Sequence, residues 1–306
     1  MPSSAVVICA HTDDRRLETA RAVDSVLAQT HPADEIVVVI DHNDGLLAWA
    51  RDRFTGATVV ANTRARGESG ARNSGVAEVH SDVVAFLDDD ATAHPDWLGH
   101  LLSWYEEPEV LGVGGAADPH WRSGRPAWFP EEFDWVVGCS YRGLPEEPAT
   151  IRNLMGCNMS FRRDVIMEAG GFYEGLGRTG GDAFGCSETE FCIRAQRELG
   201  GRFVFEPRAR IAHQVPADRG TWGYFTRRCR AEGRSKAMVA RRTSRAEALA
   251  LERRHVRTTL PQGIVRGLRD VGRTPGAVGR VAAIVLGTSL TAGTYAVGRA
   301  TRREGR

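Results

Sequence analysis

Runs of residues that are apolar almost throughout, alternating with stretches of helical periodicity, constrain this chain most. Ala5–Ala10, Glu35–Ile40, Thr58–Ala61 and Val83–Leu87 read as four buried strands. Between them, Leu17–Gln29 places Leu17, Ala20, Val23, Val26 and Leu27 on one helical face, and Leu46–Phe54 and Ser69–Val79 also suit helices. Strands without polar alternation, separated by helices, build a parallel sheet covered on both faces. Ligands bind such sheets at the carboxyl ends of the strands. Asp41 and the triplet Asp88-Asp89-Asp90 fall at those ends.

Three adjacent carboxylates repel one another and raise one another's pKa unless a positive group sits among them. Their hard oxygens suit Mg²⁺ or Mn²⁺, ions that typically combine one or two carboxylates with substrate phosphates. An isolated acidic triplet is more often a turn that ends a strand, so the rest of the chain decides.

Beyond the fourth strand, a helix is expected from Trp97 to about Tyr105 and a strand over Val110–Ala116. Residues 118–150, rich in Pro, Gly and aromatics, read as irregular loop, with Trp121, Trp128, Phe129 and Trp135 available for packing or for stacking on a sugar. Thr150–Phe161 returns to the sheet, 173–186 is a glycine-rich loop suited to a lid, and Ser187–Leu199 is a helix. Phe203–Phe205 and Arg210–His213 read as two short strands, and the chain from Trp222 onward as basic helix.

Charge is divided sharply along the chain. Residues 1–207 hold 18 Arg against 33 acids, whereas 208–306 hold 22 Arg or Lys against 6 acids. Such a basic segment meets an anionic partner, a membrane face or nucleic acid. The apolar stretch Val281–Val297 carries no charge but falls short of the roughly 20 apolar residues of a spanning helix, so an interfacial or docked helix is expected. The six cysteines show no CxxC or zinc spacing, and the polar, short N-terminus does not read as a signal peptide, so reduced thiols in a cytoplasm are expected.

Taken in order, these segments resemble the family 2 glycosyltransferases of GT-A type over roughly residues 4–230. Val6-Val-Ile-Cys-Ala-His-Thr12 resembles the first strand and nucleotide-contacting turn, with Ala10 where the family usually has proline. Val37–Asp41 resembles the second strand, Gly67–Asn73 the stretch that offers a basic residue, Phe86–Asp90 the DXD motif, and Gly156–Phe161 with Gly170–Phe172 the acceptor-side strand and turn. The resemblance implies an α/β fold of GT-A type: a Rossmann-like, mostly parallel sheet flanked by helices, over residues 1–220. A basic helical region, 221–306, would follow as a membrane-associating or interaction element.

The resemblance also implies roles. Ala10, Thr12, Asp41, Arg72, Asp88 and Asp89 would contact the nucleotide or donor sugar. Asp90, supported by Asp88, would hold Mg²⁺ or Mn²⁺, with His213 as a further candidate ligand. Arg219, Arg227, Arg228, Trp128 and Asn158 would serve the diphosphate or the acceptor. The catalytic base is usually the second residue of a Glu-Asp pair shortly before an Arg. Counting back from Arg194 selects Glu188, with Ser187 in place of the usual Glu. Glu190 is the alternative, although Ser187-x-x-Glu190 reads as a capping box and Glu190 and Arg194 stand at i, i+4.

The implied activity is inverting, metal-dependent transfer from a nucleotide-diphosphate sugar, a UDP-sugar by family habit. The acceptor would be a lipid-linked glycan or polyprenyl phosphate at the inner, cytoplasmic membrane face. Residues 156–236 resemble the subgroup that elongates polyprenyl- or dolichyl-linked glycans, glucuronosyl transfer included. A sugar-1-phosphate nucleotidyltransferase is the main alternative, but the turn His11-Thr-Asp-Asp-Arg-Arg lacks the glycine-rich phosphate loop that such an enzyme needs. A non-catalytic membrane or nucleic-acid binder would explain the basic tail alone, and the acidic first two-thirds argues against nucleic acid. No GxGxxG follows the first strand, which disfavours a dinucleotide enzyme. Oligomeric state is not legible.

Overall fold

The computed structural model describes residues 1–177, 185–243 and 255–300. The chain divides into two compact units. The first comprises the described residues of Met1–Asp118, Pro145–Asp182 and Ser187–His213, and the second those of Pro119–Leu144, Ala183–Cys186 and Gln214–Arg306. The segment 119–144 thus belongs to the same compact unit as the C-terminal region.

The fold is α/β, built on one mixed sheet. Strands β1 (Ser4–Ala10), β2 (Glu35–Ile40), β3 (Thr58–Ala61) and β4 (Val83–Asp88) are joined by helices α1 (Arg16–Leu27), α2 (Asp44–Arg53) and α3 (Glu68–Glu78). They pair in parallel, in the order β3-β2-β1-β4. Every residue of β1 except Cys9 is buried, as are Val83–Leu87 of β4. This is the pattern that made them legible, because strands covered on both faces have no polar side to show.

Past β4 the sheet changes character. It continues through β8 (Asn158–Arg162), β6 (Val110–Trp121), β9 (Arg202–Val215) and β5 (Ala91–Ala93), with β7 (Ala149–Ile151) also on β9. The β4–β8, β6–β8 and β5–β9 pairs are antiparallel, so the parallel arrangement covers only the first half. Two expected short strands are one 14-residue strand, β9, and the three-residue β5 was not foreseen. Helices α4 (Trp97–Leu102), α5 (Arg163–Glu168) and α6 (Ser187–Leu199) complete this unit. The glycine-rich stretch 173–186, expected as a loop, lies partly outside the described residues.

Behind the strand ends sits an aromatic cluster. Phe161 of β8 is fully buried and meets the rings of Phe86, Phe172, Phe191 and Phe203 edge-on. Burying rings of this size contributes roughly 2–3 kcal/mol each, and it fixes β4, β8, β9 and α6 against one another. Helix α3 comes flush to the sheet at Gly75, where a Cβ would run into Val7 and Val39. That close approach carries Arg72, one turn earlier, to the carboxyl end of the parallel strands.

The second unit has its own core of Phe129, Phe133, Val136, Val137, Phe225, Cys229, Leu260 and Ile284. It is built by a 3₁₀ segment Glu131–Val137 and helices α7 (Trp222–Arg242), α8 (Leu260–Arg269) and α9 (Ala277–Ala300). The region expected as irregular loop therefore contributes an ordered aromatic core. Trp128 stacks on Trp222 with ring centroids 4.0 Å apart, and Phe129 and Phe133 pack on Phe225.

Candidate active site

The acidic triplet sits where β4 ends, and it is not a solvated turn. Asp89 and Asp90 are buried, while the Asp88 side chain keeps 31% of its surface exposed. Strand β5 starts at once, pairing Ala91 with His213 on β9. That register brings His213 Nε2 to 3.2 Å from Asp90 Oδ1. Ligand atoms of Asp88, Asp90 and His213 lie within 4.8 Å of one another. Two carboxylates and one imidazole form a donor set that suits a divalent ion such as Mn²⁺. His213 was a candidate in the sequence, but the short β5 that delivers it was not.

Arg15 is the residue that sequence reasoning missed. It follows the turn after β1 and places Nη1 2.8 Å from Asp89 Oδ1 and 3.1 Å from Asp90 Oδ2. Thr12 shapes this turn by accepting from the Asp14 amide at 3.3 Å. Burial, resisted by Arg15, pushes the Asp89 carboxyl up to about 7, with Asp90 and Asp88 adding to the rise. Burial and the charge of Asp90 also push Asp88 upward against the pull of Arg72, and its partial exposure to water tempers that rise. A cation bound by these carboxylates would reverse both tendencies. Asp89 Oδ2 is buried without a hydrogen-bond partner. A buried carboxylate oxygen of that kind fits a region made to face positive charge.

Arg72 is 2% exposed and lies beneath the site. Its Nη2 stands 2.5 Å from Glu68, 2.9 Å from the Gly156 carbonyl and 3.8 Å from Asp88, and Nη1 donates to Ser187 Oγ at 3.4 Å. Burial alone would lower its pKa, but Glu68, Asp88 and Glu188 outweigh it and push it up. The rings of Phe86 and Phe172 flank the guanidinium at 5.9 and 5.6 Å. Arg72, expected as a nucleotide contact, joins the Asp88 carboxylate to the start of α6. The pattern Gly-x-x-x-x-Arg gave its position but could not show which way it points.

Glu188 lies in the first turn of α6, half-buried, with Ser187 Oγ and Thr189 Oγ1 each 3.4 Å from its carboxylate. Glu190 is buried and bonds Arg194 at 3.0 and 3.1 Å. Arg194 in turn donates to the carbonyls of Ala169 and Gly171. Glu190 is thereby committed to holding α6 against the Gly170-Gly171 turn, whereas Glu188 meets the Ser187 and Thr189 hydroxyls and feels the charge of Arg72.

Asp41 closes β2 and accepts from Asn62 Nδ2 at 2.6 Å and from the Gly67 amide at 2.9 Å. Gly67 has φ 121°, which explains the glycine there. Asp41 thus shapes the turn into α3, with its side chain 10% exposed. Ala10 is buried at the end of β1. Asn158 requires a correction: it is fully buried, its amide donates to the carbonyls of Ala116 and Ala209 at 2.9 Å each, and it accepts from Trp97 Nε1 at 2.7 Å. With its amide so engaged, it ties β8, β6, β9 and α4 together and does not face an acceptor. Arg219, Arg227, Arg228 and Trp128 all belong to the second unit. Arg219 and Arg228 are buried, and Arg227 is exposed over the Tyr224 ring at 5.4 Å.

Known proteins agree with this architecture. The chain is 37% identical over 239 residues to the glucosyl-dolichyl phosphate glucuronosyltransferase of Haloferax volcanii, an alignment covering 77% of this chain and 76% of the relative. Its fold superposes on a mannosyltransferase from Pyrobaculum calidifontis solved with GDP-Man and Mn²⁺, with a TM-score of 0.60, 18% identity and coverage of 99% and 87% of the two chains. GalNAc-T7, solved with UDP, GalNAc and Mn²⁺, gives a TM-score of 0.54 at 19% identity, over 83% of this chain and 54% of that one. The profile of the family described as Glycosyl transferase family 2 matches residues 5–170. With more than half its length matched, this chain belongs to glycosyl transferase family 2 and is a glycosyltransferase.

Proposed function

We propose that the protein transfers a sugar, with inversion, from a nucleotide-diphosphate donor to a hydroxyl of a lipid-linked acceptor at a membrane face. A UDP-sugar is the favoured donor, and the inner, cytoplasmic face is the favoured location. The observation that carries this reading is the meeting of two functions on one buried cation: Arg72 contacts both Asp88 and the first turn of α6, where Glu188 stands.

Asp88, Asp90 and His213 would hold Mg²⁺ or Mn²⁺, an ion that supplies charge neutralisation for a departing nucleoside diphosphate. The protein's own groups do the rest. Arg15 keeps Asp89 and Asp90 in place as neighbouring charges. Glu188 accepts the proton of the attacking acceptor hydroxyl as the new glycosidic bond forms. Asp41 and Thr12 shape the two loops that would face the nucleotide. Residues 1–220 would carry this chemistry and 221–306 the membrane association. The lipid-linked acceptor is supported by similarity to a glucosyl-dolichyl phosphate glucuronosyltransferase.

The test is a screen of nucleotide sugars for Mn²⁺-dependent thermal stabilisation, followed by transfer to a polyprenyl-phosphate glycan. One donor should stabilise the protein in Mn²⁺ and not in chelator. Pyrophosphate release from a sugar-1-phosphate and a nucleoside triphosphate would overturn the proposal.

A further inference from the structure

We infer that the outward face of α9, with the exposed side of α8 beside it, is a docking surface on which the second unit lies in an anionic lipid bilayer, with α9 in the membrane plane. This deepens the membrane-linked reading proposed above and rests on it only for biological setting.

Helix α9 is long and apolar enough to cross a membrane. Its inner side, however, is packed along much of its length. Gly287 leaves no room for a Cβ between it and Phe133 and Phe225. Thr291 Oγ1 donates to the Cys229 carbonyl at 3.1 Å, Gly233 of α7 fits against Thr291 and Thr294, and Arg299 donates to the Ala240 carbonyl at 3.1 Å. Helix α7 therefore runs beside α9 over several turns. It bears Arg227, Arg230, Arg234, Arg241 and Arg242 on its exposed side. A spanning α9 would draw those charges into hydrocarbon, where each is costly. The packing is compatible with lying on the membrane and not with crossing it.

The outer side of α9 presents Val278, Val285, Leu286 and Val297, which are 65%, 51%, 39% and 62% exposed. The other exposed positions from 282 to 296 are Ala, Ser or Gly, and no charge occurs between Arg280 and Arg299. On α8 and just after it, Val265, Leu268 and Val271 are also exposed. A water-facing stripe of this length without charge marks an interaction surface. Its flanks decide the partner. Residues 255–300 contain six arginines and one acid, Asp270. Arg266 pairs with Glu132 and Arg280 faces Asp270, which leaves Arg257, Arg269, Arg273 and Arg299 exposed around the stripe. A second copy of this face would set these arginines against one another, whereas an anionic headgroup layer complements them and the acyl boundary receives the valines and leucines.

The experiment is flotation of the full chain with vesicles of phosphatidylcholine, with and without phosphatidylglycerol, comparing wild type with a Val285→Asp/Leu286→Asp double variant. Wild type should float with the phosphatidylglycerol vesicles, weaken with added salt, and be released by alkaline carbonate. The double variant should bind about tenfold more weakly or worse, with its thermal midpoint and lipid-free, Mn²⁺-dependent nucleotide-sugar stabilisation unchanged. Those controls separate failure of the surface from failure of the fold or of the proposed chemistry. Absence of flotation, equal flotation of the variant, or resistance to carbonate would overturn the inference. So would a lipid-free dimer that the double variant splits, which would assign the face to a second copy.

Discussion

Arg15 and Asp89 form a 2.8 Å ion pair across 74 residues of sequence, joining the turn after β1 to the turn after β4. The same nitrogen stands 3.1 Å from Asp90, so one guanidinium offsets two of three packed carboxylates. Removing it leaves a buried carboxylate, 5% exposed, without its cation. Arg15→Met should destabilise the protein by about 2–4 kcal/mol, because a broken buried pair strands its partner charge. Asp89→Asn in that background should recover part of the loss. Urea unfolding of both single variants and the double variant measures the coupling, and additive losses would show that the pair is not the stabilising unit.

His213 and Asp90 approach because β5 pairs with β9. His213→Ala should weaken Mn²⁺ binding by about 10- to 100-fold, and Asp90→Asn should weaken it further. Mn²⁺ titration followed by the electron paramagnetic resonance of the free ion reads this directly. Unchanged affinity in His213→Ala would remove the imidazole from the donor set.

Much of the parallel half was legible because burial on both faces leaves an unbroken apolar run, as in Val83–Leu87. The antiparallel half was not. Ala91–Ala93 is too short to show alternation, and β9 contains Arg208 and Arg210, whose polarity made one strand read as two. The ends of strands marked Asp41, Asp88 and Asp90 as candidates, since ligands bind parallel sheets at that edge. Direction was not disclosed. Arg72 is buried between Asp88 and α6, and Asn158 is a core clasp, because the first is oriented by the Gly156 carbonyl 84 residues away and the second by Trp97 and Ala209, 61 and 51 residues away. Arg15 sat in a charged turn with no local sign that it would reach the triplet.

Glu206 on β9 predicts an acid-dependent loss of stability. Its fully buried carboxylate accepts from the Arg208 backbone, Nε and Nη2 at 2.8–2.9 Å and from Trp104 Nε1 at 3.0 Å. Burial pulls its pKa upward, but these donors outweigh it and hold it at about 2, below the ordinary 4.5. The folded state therefore binds fewer protons than the unfolded state in this range. Its contribution is full above the ordinary value and is lost as pH falls through about 2. Glu206→Gln should cost up to about 3 kcal/mol near neutrality. The gap to wild type should narrow on acidification, as urea midpoints across the acid range would show. A gap independent of pH would assign the loss to packing alone.

Glu188 and Glu190 stand two residues apart on α6 yet should fail differently. Glu188→Gln keeps the shape of the side chain and removes its capacity to take a proton. It should lower kcat by about 10²- to 10⁴-fold, leaving Mn²⁺-dependent donor binding and thermal stability near wild type. Glu190→Gln weakens the pair with Arg194, whose other donors hold the Ala169 and Gly171 carbonyls. It should cost about 1–3 kcal/mol of stability, and the folded fraction should retain most of its turnover. Single-turnover transfer, measured beside thermal unfolding for each variant, separates a proton acceptor from a clamp. Full activity in Glu188→Gln, with a stable but inactive Glu190→Gln, would reverse the assignment.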